Sequence, residues 1–295
     1  MRTAWAAWLL ATVLAVPAWA ANHALLVGVG SYPALPERRL LGPANDVRLM
    51  ADSLQALGWP PAQLRVLADQ GDGLPTRANI LQALARLADV SRRGDWVLLY
   101  FSGHGAQVPA PGGGVDEVFL ARDASAWQPR EAGLPGALRD KELRQALQRI
   151  RAQGAHVWAV FDTCHAADML RGRLLPWRYL SAAELKLPLP GLQLAYRSPA
   201  PLRQTQPPKG GLGHYIGFFA AGRDEGTLEE ALPDPDQPGR MSAFGVFTWE
   251  LVRALRAGDA TDFAALAARV QAAYQARPFP TPEFVGDLAL PLPRR

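Results

Sequence analysis

Cys164 is the sole cysteine of the 295-residue chain, and it stands near the end of the run Phe161-Asp162-Thr163-Cys164-His165. His104 stands near the end of a second run, Tyr100-Phe101-Ser102-Gly103-His104-Gly105. A thiol beside an imidazole makes a nucleophile at neutral pH, because the imidazolium charge lowers the thiol pKa. Gly105 admits a substrate close to the backbone. The N–H groups of Gly105 and Cys164 are candidate donors to a developing oxyanion. Taken singly, His104 reads as a turn histidine and Cys164 as a small core filler. Taken together, at the ends of neighbouring strands, they read as a dyad for nucleophilic catalysis. The lone thiol excludes an internal disulfide and a cysteine-type metal site, and disulfide exchange usually needs a partner thiol.

Asp162 precedes Cys164 by two residues, so an extended chain puts both on one face. With Asp46 and Asp224 as company it would line a pocket for a cationic side chain; as a cap of the strand end it would be structural. His23, His156, His165 and His214 are assigned no catalytic part.

The elements that must position these residues follow from periodicity. Residues 96–105 and 156–165 are almost continuously apolar and then stop in small or polar residues, the mark of strands buried on both faces. Ligands of open α/β sheets bind at the carboxyl ends of such strands. Residues 23–29 form a first strand and 63–68 a second. The glycines at 28 and 30 lack the third glycine of a dinucleotide loop. Helices are predicted over 44–57, with Val47, Met50, Leu54 and Leu57 on one face, and from an N-cap at Thr76 to about Val90. Residues 115–120 are a short extended piece, and Asp140 caps a helix running to Arg151. This alternation predicts a mostly parallel sheet with helices on both faces. Residues 171–213, rich in Pro, Gly and Arg, interrupt it; so long a stretch is functional or disordered. A buried strand over 214–221, a polar loop over 222–240, helices over 244–257 and 262–276, and a tail closing at 284–292 complete the chain.

The formal charge is +4, from 31 basic and 27 acidic residues. No Lys/Arg-rich block is interleaved with aromatics, which argues against nucleic acid as a partner. Residues 1–20 combine Arg2, an apolar stretch over 4–16 and the ending Ala18-Trp19-Ala20, the pattern of a signal peptide cut after Ala20. The apolar stretch is shorter than the roughly 20 residues of a membrane span. The protein is expected to be exported, periplasmic or secreted, with no stable membrane span after cleavage.

The two reactive blocks resemble the His and Cys blocks of the caspase-like cysteine peptidases, above all the metacaspases and the bacterial orthocaspases. The likeness covers about residues 22–292 and takes in Gly42-Pro43-Ala44-Asn45-Asp46, Pro75-Thr76-Arg77-Ala78-Asn79-Ile80, Asp140-Lys141-Glu142-Leu143, Ala221-Gly222-Arg223-Asp224-Glu225 and Phe244-Gly245-Val246-Phe247-Thr248. It implies a caspase-like three-layer α/β sandwich with a mostly parallel central sheet. It implies a large-subunit-like half over 21–170, a linker over 171–213 and a small-subunit-like half over 214–295. His104 and Cys164 become the dyad, and the substrates become peptides or proteins cut after Arg or Lys. Asp162, Asp46 and Asp224 match the acidic pocket for that side chain (P1), and Ser102 matches another pocket position. True caspases match less well, since Asp162-Thr163 stands where they carry Gln-Ala; the family's usual Ser-Gly after Cys-His is Ala166-Ala167 here. Many metacaspases need calcium, and Asp116, Glu117, Asp123 and Asp168 are the acids here that could serve it. Calcium is thus the one cofactor the resemblance leaves open, and no metal ligand is assigned. An enzyme of this specificity could cut itself at Arg171, Arg173, Arg178, Lys186, Arg197, Arg203 or Lys209. The alternative is a catalytically silent caspase-like binding or regulatory module.

Overall fold

A computed structural model of the chain describes residues 20–70, 73–109, 115–128, 133–163, 178–187, 209–222, 225–275, 277 and 280–294. Cys164, His165, Asp168 and Asp224 lie outside the described residues, as do the signal segment apart from Ala20 and most of the 171–213 linker. The elements run β1 (Asn22–Gly28), α1 (Pro43–Ala56), β2 (Leu64–Ala68), α2 (Arg77–Val90), β3 (Trp96–Ser102), β4 (Gly105–Pro109), β5 (Val115–Leu120), β6 (Ala137–Arg139) and α3 (Asp140–Ala152). They continue with β7 (His156–Asp162), β8 (Tyr215–Phe219), β9 (Glu229–Pro233), β10 (Met241–Gly245), α4 (Val246–Ala257), α5 (Phe263–Tyr274) and β11 (Glu283–Gly286).

Among the described residues, the central sheet has six strands in the order β11-β8-β7-β3-β1-β2, all parallel except β11. Strand residues alternate between faces. Leu25, Val27, Leu99, Phe101 and Val157 therefore meet Ile80 and Leu84 of α2 and Leu147 and Ile150 of α3. Leu26, Leu98, Tyr100, Trp158 and Phe218 meet Met50 of α1, Leu251 of α4 and Phe263 of α5 on the other side. Both faces are dry, which is why β3 and β7 read as unbroken apolar runs. Each such side chain contributes about 1.5–3 kcal/mol by leaving water. The result is the expected three-layer sandwich.

The register of β3 on β7 runs from Trp96 opposite His156 to Ser102 opposite Asp162. The carboxyl ends of these strands thus bring Ser102, His104 and Asp162 to one edge. Beyond His104 the chain turns into β4, which pairs antiparallel with β5, and β5 with β6. The extended piece expected over 115–120 is therefore the middle strand of a small second sheet.

Three sequence expectations are corrected. The 222–240 stretch is not all loop, since it holds β9, paired antiparallel with β10. This ribbon mixes buried, half-buried and exposed residues, so it carries no buried-run signal. The following helix starts at Val246 rather than at residue 244, because Phe244 and Gly245 belong to β10. Asp140 is the first residue of α3 rather than its cap; the end is closed by Glu142, whose carboxylate accepts the Arg139 N–H at 3.0 Å. Thr76 does cap α2, accepting the Asn79 N–H at 3.3 Å.

Candidate active site

His104 is buried between β3 and β4. Its Nε2 lies 2.8 Å from the Arg38 carbonyl oxygen. A carbonyl only accepts, so Nε2 carries the proton and Nδ1 is the basic nitrogen. Nδ1 is buried and finds no hydrogen-bond partner among the described residues. Tyr32 steadies the backbone here: its hydroxyl accepts the His104 N–H at 2.9 Å and donates to the Val29 carbonyl at 3.2 Å. Burial lowers the His104 pKa to about 4, the Arg178 charge adding to the effect and the Arg38 carbonyl opposing it. The ring is therefore neutral at pH 7, with Nδ1 as its proton-accepting nitrogen.

Three of the four predicted pocket residues come together from three elements; Asp224 lies outside the described residues. Asp46 on α1, Ser102 at the end of β3 and Asp162 at the end of β7 are all fully buried, and all three touch one guanidinium. Arg178 Nη2 lies 2.6 Å from Asp46 Oδ2, and Nη1 lies 3.1 Å from Asp162 Oδ2. Nη1 also donates to Ser102 Oγ at 2.8 Å and to the Asp162 carbonyl at 3.2 Å. Glu229 stands 3.8 Å from Nη2. The remaining acceptor sites are filled as well. Asp46 takes the Ser102 hydroxyl at 2.8 Å and the Gly245 N–H at 2.9 Å. Asp162 takes the Thr248 hydroxyl at 2.6 Å, the Thr248 N–H at 3.2 Å and the Thr227 hydroxyl at 3.2 Å.

Charge explains why so buried a cation is stable. Burial alone would lower the Arg178 pKa; Asp162, Asp46 and Glu229 outweigh it and raise it. Burial pushes the Asp46 carboxyl up to about 6, against the pull of Arg178. One guanidinium thus faces three acids, and the socket demands a cation. It is also narrow. A methyl group on Gly42 would come within 2.6 Å of Nη2, and one on Gly245 within 2.6 Å of Nη1, so both positions need glycine for close approach.

The backbone of Arg178 is held too. Its carbonyl accepts the Gly105 N–H at 3.0 Å, its N–H donates to the Thr227 carbonyl at 3.2 Å, and the Leu180 N–H donates to the Gly105 carbonyl at 3.1 Å. Residues 178–180 therefore lie extended along the first residue of β4. Sequence reasoning did not give Arg178 this place. It counted it as one of seven basic residues in the 171–213 stretch, and it missed Glu229, Thr227, Gly42 and the pocket role of Thr248. The available signal was one cation, Arg178, set among Trp177, Tyr179 and Leu180 in a segment otherwise rich in proline and polar residues.

A family model described as the caspase domain matches residues 21–281. The chain belongs to the caspase domain family. Metacaspase-3 of Trypanosoma cruzi is 29% identical over 174 residues, 57% of this chain and 46% of that protein. Metacaspase-1 of Mycosarcoma maydis is 31% identical, with 57% and 40% covered. Inactive metacaspase-4 of Trypanosoma brucei brucei is 32% identical over 149 residues, with 49% and 40% covered. The chain thus spans less than half the length of each of these relatives. A crystal structure of protein GSU0716 from Geobacter sulfurreducens shares the fold, with TM-score 0.65 at 20% identity over 90% of this chain and 93% of that one.

Of the acids offered to calcium, Asp168 lies outside the described residues, and Asp116 and Asp123 are engaged by basic partners or backbone. Asp116 is engaged by Arg139 at 2.5 Å and by Lys141 at 3.7 Å, and Asp123 accepts the Arg77 N–H at 2.8 Å. Among the described residues no three His, Cys, Asp or Glu side chains stand together as a metal site. Asp116 and Asp123, so engaged, form no cation site among the described residues.

Proposed function

We propose that this caspase domain is an exported cysteine endopeptidase that cuts peptides and proteins after Arg or Lys. Cys164 attacks the scissile carbonyl. His104 Nδ1 takes the thiol proton and returns it to the leaving amine, while the Arg38 carbonyl keeps the other proton on Nε2. The N–H groups of Gly105 and Cys164 receive the oxyanion. Asp162, Asp46, Asp224 and Ser102 take the P1 cation. Residues 1–20 are removed on export, and the 171–213 linker between the two halves is open to self-cutting.

The observation that carries this reading is the double hold on Arg178. Its guanidinium fills the Asp46–Asp162–Ser102 socket while its own carbonyl rests on the Gly105 N–H. Cation pocket and oxyanion donor are therefore spaced to serve a single residue, as P1 recognition requires. An acidic P1 side chain would instead add a carboxylate to the three acids already there. The second reading, a silent binding module, is favoured by one specific observation, the similarity to a relative named inactive metacaspase-4.

Matched fluorogenic peptides ending in Arg, Lys or Asp, assayed with and without calcium beside Cys164→Ala, separate these readings. Hydrolysis after Arg or Lys that vanishes in the variant is the expected result. Hydrolysis after Asp would keep the dyad and sink the pocket. No hydrolysis of any peptide, with Cys164 also inert to a peptidyl-arginine alkylating probe, would favour the silent module.

A further inference from the structure

We infer that the Asp69–Arg122 ion pair, which makes no hydrogen bond to His104, is what holds the His104 imidazole in its working orientation. Asp69 and Arg122 are thus positioning residues. The kinetic half of this inference rests on the peptidase reading above; its structural half does not.

His104 is gripped at three points. Its Nε2 faces the Arg38 carbonyl at 2.8 Å, its N–H donates to the Tyr32 hydroxyl at 2.9 Å, and its carbonyl accepts the Leu120 N–H at 3.0 Å. The first two grips come from one segment, residues 29–42 between β1 and α1, whose only regular piece is a short 3₁₀ turn over Pro36–Arg38. Such a segment keeps its place only through contacts made elsewhere. Asp69, just past the end of β2, supplies them: Oδ2 accepts the Gly30 N–H at 2.6 Å and the Ser31 N–H at 2.8 Å. The Leu40 N–H then returns to the Gly30 carbonyl at 2.8 Å, so the stretch carrying Tyr32 and Arg38 is closed at its base. The other oxygen of Asp69, Oδ1, takes Arg122 Nη1 at 2.9 Å.

Arg122 stands two residues after Leu120, the third grip on His104. The contacts therefore form a ring, from the His104 carbonyl through β5 to Arg122, across to Asp69, and back through the 29–42 segment to the His104 imidazole. A carboxylate that merely capped a turn would need only the two backbone bonds. Here the second oxygen ties the same turn to the strand that holds His104. The pair is mostly shielded, with 14% of Asp69 and 24% of Arg122 exposed, and its bonds are of the stronger, charge-assisted kind. Without Asp69 the segment loses its base, the Arg38 carbonyl withdraws, and water reaches Nε2. A base supported in this way owes its geometry to groups beyond those it touches.

The test uses the full chain and two readouts. The first is a nitrogen-15 NMR titration of the His104 imidazole in the Cys164→Ala background, its signal identified by loss in His104→Gln. The second is kcat and KM for an arginine peptide with Cys164 intact. In Asp69→Ala the His104 pKa should climb from about 4 toward 6.5, since burial is the main cause of its lowering. In the same variant kcat should fall by about 10²-fold with KM little changed, the usual cost of a reacting group displaced by a remote substitution. Asp69→Asn, whose carbonyl oxygen still accepts both N–H groups, should recover most of both readouts. Arg122→Ala should move both in the same direction as Asp69→Ala, by less. A folded Asp69→Ala chain that loses stability but keeps the wild-type imidazole titration would overturn the inference, whatever its activity. If Asp69→Ala does not fold, Arg122→Ala decides, and wild-type titration there overturns it. A shifted imidazole in a chain that hydrolyses no peptide even as wild type would uphold the positioning role and sink the peptidase reading instead.

Discussion

β7 begins at His156 and ends at Asp162, and the charged groups around its two ends live in different media. At the amino end, His214 pairs with Asp287 at 2.8 Å, with 26% and 36% of these side chains exposed. His156 accepts the His214 N–H at 3.1 Å and is half-buried, as is His23, which lies 3.8 Å from Asp95. At the carboxyl end, Asp46, Asp162 and Arg178 expose nothing. Titratable residues thus form a partly wetted cluster at one edge, Asp95 alone being buried in it, and a fully dry one at the other. Charges in the dry cluster are strongly coupled, and removing one strands the rest. Charges in the wet cluster are screened and weakly coupled.

The hardest way to break this contrast is to remove a dry carboxylate. Asp162→Asn leaves Arg178 short of a counter-charge and turns an amide N–H₂ toward existing donors. It should cost about 3–5 kcal/mol of stability, the usual price for one member of a buried pair. Urea unfolding in the Cys164→Ala background, where the proposed self-cutting is excluded, measures this. A loss below about 1 kcal/mol would place Asp162 in the same regime as the amino edge.

A subtler probe uses two dry groups whose acid responses oppose each other. His104 has its pKa lowered to about 4 in the folded chain, from 6.5. The unfolded state then binds more protons between these values, so His104 withdraws stability as pH falls from about 6.5 to 4. Asp46 has its pKa raised to about 6 from 3.8. Here the folded state binds more protons, so Asp46 adds stability over nearly the same window. Each effect is about 3 kcal/mol at full extent, and the two largely cancel. Asp46→Asn should therefore steepen the acid loss between pH 6.5 and 4, and His104→Gln should flatten or reverse it. Unfolding midpoints taken across that range check the signs, and equal slopes in the two variants would refute them.

Much of the scaffold behind this contrast was legible in the chain. The face-alternating residues Leu25 and Leu26, or Leu99 and Tyr100, sit inside runs apolar on both sides, which only a doubly covered parallel strand explains. Ser102, His104 and Asp162 could be placed at one edge because both runs end there. Asp46 stood only as a candidate companion of Asp162, since no local pattern joins it to them; it lies on a helix far away in sequence, and the family resemblance supplied the firmer link. Arg178 was illegible for a physical reason. Its burial depends on three acids from separate elements meeting at one point, and no window of sequence around it records that. The ribbon of β9 and β10 was missed because its burial is mixed and leaves no continuous apolar run, yet its Glu229 and Gly245 complete the socket.

The smallest expected effect lies at the other edge and tests the contrast from below. His214 and Asp287 approach to 2.8 Å, so distance alone would rank this pair beside Arg178 and Asp46 at 2.6 Å. Exposure predicts otherwise, because water and salt reach the partly exposed pair and screen it. Asp287→Asn should shift stability by no more than about 1 kcal/mol, with the difference shrinking further in 1 M salt. Urea unfolding at low and high salt reads both numbers. A loss comparable to that of Asp162→Asn would mean that distance, and not burial, sets the strength of charge pairing in this fold.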